Sequence, residues 1–326
     1  MGSYLFIRHA MADFPLDARR CLGRTDLPLG TLGRMQACLL GETVHFGTVY
    51  SSPLKRAMET AAFLGDRVIP VPGLEEADCG EWDGLSFDEI QRRWPELYRR
   101  RGEDPSLPMP GWEDPEASLA RFRAALETVP EGSPVVAHNL MIGRYLGKEP
   151  GFRMPNAALL RGDAPEVPHP EMTPALARRL REAAGLLPKI CRHCDAVAEE
   201  ALELSEGLGL DRNLVECAAL LHDIARLEPE HEIVGGRYLT MLGYPELGEV
   251  IRQHGTVADP DRVDEALILF LADKYRSEAE RVSIDERYDR TAHKCPTPAL
   301  LARHERSRAF AHRAEEAVRR AKEALR

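Results

Sequence analysis

The sequence predicts two structural classes in one chain: an α/β layered domain with a largely parallel sheet, then an all-α domain. Three observations carry this. From Tyr4 to the segment after His138, short apolar runs alternate with helix-like segments, the pattern of parallel strands joined by helices. The composition turns over between Arg161 and Pro174, where Gly162-Asp163-Ala164-Pro165 and Val167-Pro168-His169-Pro170 read as an extended, proline-punctuated linker. Beyond it strand signals nearly vanish and helical periods closed by glycines take over.

Each element follows in order. Tyr4 to Ile7 is a short apolar run cut off by charge, Thr31 to Glu42 a helix, and Val44 to Tyr50 a strand leading into the turn Ser51-Ser52-Pro53. Leu54 to Leu64 is helical, Val68 to Val71 a β-branched run, and Leu119 to Val129 an amphipathic helix. Val135-Val136-Ala137 is a buried-strand candidate, followed by His138 and another helix. Arg92 to Pro115, rich in Arg, Pro and Trp, reads as a helical excursion or cap over the sheet, with Arg99-Arg100-Arg101 a solvated helix end. In the second half, Ala175 to Gly185, His193 to Gly207, Asn213 to Ala225, Glu232 to Leu242, Glu246 to His254 and Asp264 to Ser277 read as helices. Gly207, Gly209, Gly243 and Gly255 sit where helices should stop. Residues 299–326 form a charged amphipathic helix packed by its Leu and Ala stripe. The expected boundaries are a domain at 1–162, a linker at 163–174 and a domain at 175–326.

The chain has 326 residues, enough for two cores. Its 53 acidic side chains outnumber 43 basic ones, for a net charge of −10. That balance argues against an extended nucleic-acid face, which needs concentrated basic charge. It leaves small anionic substrates open, because a pocket needs only a few local Arg and His residues. The seven cysteines are odd in number and irregularly spaced, which argues against a disulfide framework and for a reducing cytoplasm. No signal peptide is visible and no apolar stretch approaches membrane-spanning length. A cytoplasmic protein is expected, with no membrane partner and a homo-oligomer left open.

Phe6-Ile7-Arg8-His9-Ala10 places an Arg-His pair at the end of the first strand, and Val135-Val136-Ala137-His138 repeats the arrangement. In open α/β sheets, ligands sit outside the carboxyl ends of strands. With these come Gly23-Arg24-Thr25-Asp26-Leu27-Pro28-Leu29, then Ser51 to Ala61 containing Arg56, then Leu74-Glu75-Glu76 with Gly80-Glu81-Trp82-Asp83-Gly84-Leu85. In this order the pieces resemble the histidine phosphatase (phosphoglycerate-mutase-like) superfamily over about residues 4–162. The resemblance implies a three-layer α/β sandwich and a metal-free site. A neutral His9 attacks phosphorus to form a phosphohistidine. Arg8, Arg56 and His138 surround the phosphoryl oxygens, and Glu76 is the proton donor. The other reading of Glu76 is a surface carboxylate beside Glu75. Arg24 and Thr25 are candidates for substrate binding. Ala10, Met11 and Asn139-Leu140 depart from the family's commoner residues at the rim, so the substrate stays open. The surroundings of a dedicated mutase are not apparent, which favours a phosphatase.

The second half concentrates potential metal ligands. His222-Asp223 follow the apolar run Ala218 to Leu221, and Asp273 ends the run Leu267 to Ala272. A carboxylate on the core side of an apolar helix is costly to bury unless paired, and a cation is one partner that offsets the cost. His193, Leu220-Leu221-His222-Asp223-Ile224-Ala225-Arg226 and Ala272-Asp273-Lys274 resemble the HD-domain phosphohydrolase superfamily across about residues 188–290. The resemblance implies a first ion on His193, His222, Asp223 and Asp273, with Asp223 bridging to a second on His231 and His254. The alternative makes His231 and His254 incidental helix-end residues around one ion. Mixed imidazole and carboxylate ligation suits Fe, Mn or Zn. Arg226 and Lys274 are candidates for the substrate phosphate, with solvated helix surface the other reading. Cys191 and Cys194 flank His193, but no second Cys pair has zinc-knuckle spacing, and they read as buried thiols. The remaining histidines, at 45, 169, 293, 304 and 312, have no constellation around them.

These features imply a bifunctional phosphohydrolase acting on small phosphorylated metabolites or nucleotides, with a nucleotide-like ester at the metal site. A second reading is one active phosphatase domain regulated by a catalytically silent, ligand-binding partner. The presence of every core residue in both halves favours the first. A nucleic-acid-processing protein meets the acidic charge.

Overall fold

Strand geometry sends successive side chains to opposite faces of a sheet, and the first strand shows this at once. In the computed structural model, which describes residues 3–162 and 164–326, β1 (Leu5–Arg8) turns Phe6 to one core and Ile7 to another. Met1, Gly2 and Asp163, with which the expected linker opens, lie outside the described residues. The chain divides between Pro170 and Glu171 into two compact units.

In the first unit β1 is followed by α1 (Thr31–Gly41), β2 (Phe46–Ser51), α2 (Lys55–Ala62) and β3 (Gly65–Pro70). Then come α3 (Phe87–Arg93), α4 (Pro95–Glu103), α5 (Pro115–Leu126), β4 (Pro134–Ala137), α6 (Asn139–Tyr145), β5 (Leu159–Arg161) and β6 (Ala164–Glu166). The sheet order is β3-β2-β4-β1-β5-β6, with the first four strands parallel and the last two antiparallel. Two cores sandwich it. Phe6, Val135 and Ala137 pack with Phe122 of α5 and Met141 and Ile142 of α6. Ile7, Val49 and Val136 pack with Ala37 and Leu40 of α1 and Ala57 and Ala61 of α2. The α/β layered domain expected from the alternating pattern, and the three-layer sandwich implied by the resemblance, is the observed architecture.

Part of the segment read as linker is strand. Ala164–Glu166 pairs antiparallel with β5, Leu159 facing Glu166 and Arg161 facing Ala164. Pro165 suits this place because β6 is the outermost strand, where a missing N–H costs no ladder bond. Arg92 to Pro115 is a helical excursion, built on α3 and α4 and a small separate core of Cys79, Trp82, Ile90 and Met109. Arg101 corrects the expectation of a solvated helix end. Its guanidinium stacks on two indoles, 5.6 Å from the Trp82 ring centroid and 5.1 Å from that of Trp112.

The second unit is helical apart from a two-stranded hairpin. It comprises α7 (Pro174–Ala183), α8 (Pro188–Ser205), α9 (Arg212–Leu221), α10 (His231–Met241), α11 (Pro245–Arg252), α12 (Glu265–Lys274), β7 (Arg276–Ser277), β8 (Glu280–Arg281), α13 (Ile284–Thr291) and α14 (Pro298–Ala324). The run Ala266 to Ala272 is buried on every side, which makes α12 the core helix, packed against α8 and α9. The α10–α11 contact is backbone on backbone. A Cβ at Gly236 would lie 2.6 Å from the Gly248 carbonyl oxygen, and one at Gly248 would lie 2.5 Å from that of Gly236. No helix among the described residues is long and apolar enough to cross a membrane.

Two candidate sites

Register sets the first site. β1 and β4 are parallel neighbours with Arg8 opposite Ala137, so His9 and His138 leave the sheet side by side at its carboxyl edge. The His9 amide donates to the Ala137 carbonyl, and the two imidazole centroids lie 4.9 Å apart. His9 Nδ1 is 2.7 Å from the Ala10 carbonyl oxygen. A carbonyl can only accept, so Nδ1 carries the proton and Nε2 keeps the lone pair. That Nε2 faces Arg56 Nε at 3.4 Å, and Arg56 Nη2 stands 3.4 Å from His138 Nδ1. His138 Nε2 in turn meets Ser52 Oγ at 2.8 Å.

Arg56 is fully buried on α2, its two terminal nitrogens fixed by the carbonyls of Thr25 and Gly23, each at 2.8 Å. Those carbonyls are themselves held, because the Asp83 carboxylate accepts the amides of Gly23, Arg24 and Thr25. Thr25 thus enters through its backbone. Thr60 ties the floor together, accepting from the Ala10 amide and donating to the Arg56 carbonyl. Arg8 donates to the Met154 carbonyl and keeps a buried Nε with no acceptor, and Arg24 Nε is in the same condition. Arg24 otherwise lies between Glu75, at 3.7 Å, and Glu113, at 3.6 Å.

Glu76 is a buried carboxylate at the same edge, not a surface one. Its oxygens accept from the amides of Leu140, Met141 and Ala77. Burial pushes its pKa above the ordinary carboxylate range, against those amides and the charges of Arg56 and Arg8. Burial, then Arg56 and Arg8, hold His9 well below the usual imidazole value; burial, Arg56 and His9 do the same for His138. Arg8, for all its burial, is lowered only to about 10. The site therefore offers a neutral nucleophilic nitrogen, fixed cations with unused donors, and a carboxyl that favours its proton. Asp83, Ser52 and Thr60 are the positioning residues that sequence reasoning did not single out. Asp83 and Ser52 sit in the motifs quoted above, but their hydrogen-bond partners are dozens of positions away.

The second site is assembled from five helix ends and faces. His193 lies on α8, His222 and Asp223 follow α9, His231 opens α10, His254 follows α11, and Asp273 lies on α12. Their donor atoms fall into two groups, His193–His222–Asp273 and Asp223–His231–His254, each within 4.8 Å. Adjacent rings are 5.1 to 5.3 Å apart along the series His193, His222, His254 and His231. Asp223 spans both groups, with Oδ2 3.7 Å from His222 Nε2 and Oδ1 3.2 Å from His231 Nε2.

The four rings share one hydrogen-bond polarity. Nδ1 lies 2.7 Å from a backbone carbonyl in His193 (Glu278), His222 (Ala219) and His254 (Ile251), and 3.3 Å from the Glu232 carboxylate in His231. Each acceptor fixes the proton on Nδ1 and turns an Nε2 lone pair toward the carboxylates. His222 Nε2 is buried with no hydrogen-bond partner at all. An orphaned buried acceptor beside two carboxylates fits a divalent cation, so the donor set and its tautomers suit the expected metal.

Burial works against charge on both carboxylates, yet Lys274 and His193 hold Asp273 low, and His222, His231 and Arg226 hold Asp223 low. His254 is pushed down to about 3 by burial and by His222. Lys274 Nζ contacts Asp273 at 2.7 Å, and Arg226 lies 3.4 Å from Asp223 and 3.0 Å from His231. Both cations thus stand at the cluster; Lys274 is not solvated surface. Of the two cysteines, Cys194 is buried and Cys191 is half-buried, a partial correction to the expectation for the pair.

Residues 4–157 match the histidine phosphatase superfamily (branch 1), and residues 190–278 match the HD domain. A protein of Mycobacterium tuberculosis described as bifunctional is 35% identical over 38% of this chain and 36% of its own length. Phosphoserine phosphatase 1 of Hydrogenobacter thermophilus is 31% identical over 40% of this chain and 64% of its own. The chain thus spans about a third of the first of these relatives and under two thirds of the second. Among solved structures, a mycobacterial glucosyl-3-phosphoglycerate phosphatase aligns at 25% identity and a TM-score of 0.40, over 48% of this chain and 88% of that one. Residues 4–157 are a histidine phosphatase superfamily domain and residues 190–278 an HD domain, carried in one polypeptide.

Proposed function

We propose that the chain is a bifunctional phosphohydrolase, with phosphomonoester hydrolysis through His9 and metal-dependent hydrolysis of a nucleotide-like ester at the second cluster. One contrast carries the reading. His9 and His138 of the first site face a guanidinium group, and His193, His222, His231 and His254 of the second face carboxylates. The first arrangement attracts an anion to imidazole nitrogen and the second attracts a cation.

In the first site, the ester phosphate sits on Arg8, Arg56 and His138, with Arg24 and Thr25 at the rim. His9 Nε2 forms a bond to phosphorus as the ester P–O bond breaks, and Glu76 gives its proton to the departing alkoxide. The Glu76 carboxylate then takes a proton from water as that water's oxygen displaces Nε2, releasing inorganic phosphate. Arg8 and Arg56 stabilise the charge on the non-bridging oxygens throughout.

In the second site, His193, His222 and Asp273 would hold one divalent ion of Fe, Mn or Zn type and Asp223, His231 and His254 another, with Asp223 placed to serve both. Bound ions of this kind supply Lewis acidity to phosphate oxygens and lower the pKa of water. The chain's own contribution is orientation, since the Nδ1 anchors hold every ring in the ligating tautomer. Arg226 and Lys274, which pair with Asp223 and Asp273, stand where they could also contact a phosphate at the cluster.

The experiment is a phosphate-ester panel run on wild type, His9→Ala and Asp223→Ala, with and without chelator. Each variant should lose a different activity, and only the one lost in Asp223→Ala should be chelator-sensitive. An intact set of activities in either variant makes that domain the regulatory partner instead.

A further inference from the structure

Arg8 and Arg56, the two guanidinium groups read as holding the phosphate, are themselves held very differently. Arg56 has its terminal nitrogens on the carbonyls of Thr25 and Gly23 and faces both imidazoles, so its place is fixed several times over. Arg8 makes one side-chain hydrogen bond among the described residues, from Nη1 to the Met154 carbonyl. Whatever places that carbonyl places Arg8.

The carbonyl belongs to residues 152–158, a strap between α6 and β5 that runs along the carboxyl edge of β1. The Asn156 side chain and the Ala157 amide both donate to the His9 carbonyl, and the Arg8 amide donates to the Ala158 carbonyl. Ala157 has φ +54°, the left-handed region that a non-glycine residue enters at a cost. A segment bent in this way keeps its shape only where its surroundings over-determine it.

Asn139 supplies that restraint from the other side. Its Oδ1 accepts from the Met154 amide at 2.7 Å, and its Nδ2 donates to the Phe152 carbonyl at 3.1 Å. The side-chain amide thus pairs with the strap as a neighbouring strand would, donating and accepting at once. The pairing is exclusive, because an N–H can only donate and a carbonyl can only accept; a carboxylate or an apolar group of similar size leaves one or both unmet. Met154 is fully buried, so water does not replace the partner its amide would lose.

We propose that Asn139 is a positioning residue for Arg8, acting through Met154, whose amide faces Asn139 and whose carbonyl faces the guanidinium. This rests on reading Arg8 as a contact of the substrate phosphate. Asn139 also opens α6, between His138 and the Leu140 and Met141 amides that the Glu76 carboxylate accepts. One side chain therefore ties the strap that sets Arg8 to the helix end that carries His138 and anchors Glu76. The sequence marks Asn139 as a departure at the rim; in the fold it is a tie between three groups of the site.

The test is a double-mutant cycle on the full chain, with chelator present so that only the metal-free site contributes. The probe is inorganic phosphate, its dissociation constant read by titration calorimetry, with kcat and KM for p-nitrophenyl phosphate measured alongside. Asn139→Ala should weaken phosphate binding about fivefold or more in the wild-type background and less than about twofold once Arg8→Ala is present, because residues acting through one contact do not add. Equal factors in the two backgrounds would make Asn139 a support of the fold alone and overturn the proposal, as would wild-type binding in the Asn139→Ala single variant. If wild type binds no phosphate, or Arg8→Ala binds it as wild type does, the reading of Arg8 has failed and the proposal falls with it, a result distinct from additivity. Should Asn139→Ala not fold, Asn139→Gly takes its place in the cycle with the same expected factors.

Discussion

At the residue scale, the proposed chemistry of the first site turns on two displaced titrations. Burial, Arg56 and Arg8 lower His9, so its neutral imidazole persists as pH falls below 6.5. Burial raises Glu76, so its carboxyl keeps the proton above the ordinary range and loses it only as pH rises through that higher value. The chelator-resistant kcat/KM should therefore hold toward acid and fall on the alkaline side. Glu76→Gln should lower kcat by roughly 10²- to 10⁴-fold and remove the alkaline limb, measured as a pH–rate profile; an unchanged limb would assign it to another group. Rapid quench should recover an acid-labile phosphoprotein from wild type and none from His9→Ala. Arg8, His9, Arg56 and His138 were legible because each sits at a strand end or in a short motif. Asp83 was not, because its three amide contacts lie about sixty positions back along the chain and no local period reports them. Arg101 was misread for the same kind of reason, its stacking partners Trp82 and Trp112 coming from separate loops.

At the element scale, α10 and α11 approach through Gly236 and Gly248, and each helix carries one histidine of the second cluster at its end. Gly236→Ala would drive a methyl into a backbone carbonyl and force the helices apart, at a cost of about 1–3 kcal/mol by overpacking. His231 and His254 would move with them. Metal retained after dialysis should fall while the chelator-resistant activity stays at the wild-type level; equal metal content would show that the helices absorb the methyl without shifting the histidines. Most helices were readable from period and glycine stops. The strand pairs β5–β6 and β7–β8 and the helix α13 were not, and Arg276–Ser277 is strand where Asp264 to Ser277 read as helix. The antiparallel pair β5–β6 was hidden by Pro165, which signals a linker wherever strand position is unknown. The polar helix α13 has few apolar residues to mark a period, although its Ser283–Glu286 capping box was a local signal that could have found it.

At the scale of the whole molecule, two compact units with separate cores and opposite site electrostatics imply separable responses. A ligand that binds only one folded unit stabilises that unit by mass action. Scanning calorimetry should resolve two transitions, with Mn²⁺ or Zn²⁺ raising one by several degrees and leaving the other in place; inorganic phosphate with chelator present should do the reverse. A single transition that moves with both ligands would mean the units unfold together. The architecture of both units was legible because alternation and helical period are local properties. One further consequence follows from the order of the sheet. Its outermost strands, β3 and β6, each contain a proline, Pro70 and Pro165, and present Asp66, Arg67 and Glu166 beside them. Such borders are poor templates for intermolecular strand addition, so crowding this protein should not seed cross-β aggregation from its native sheet.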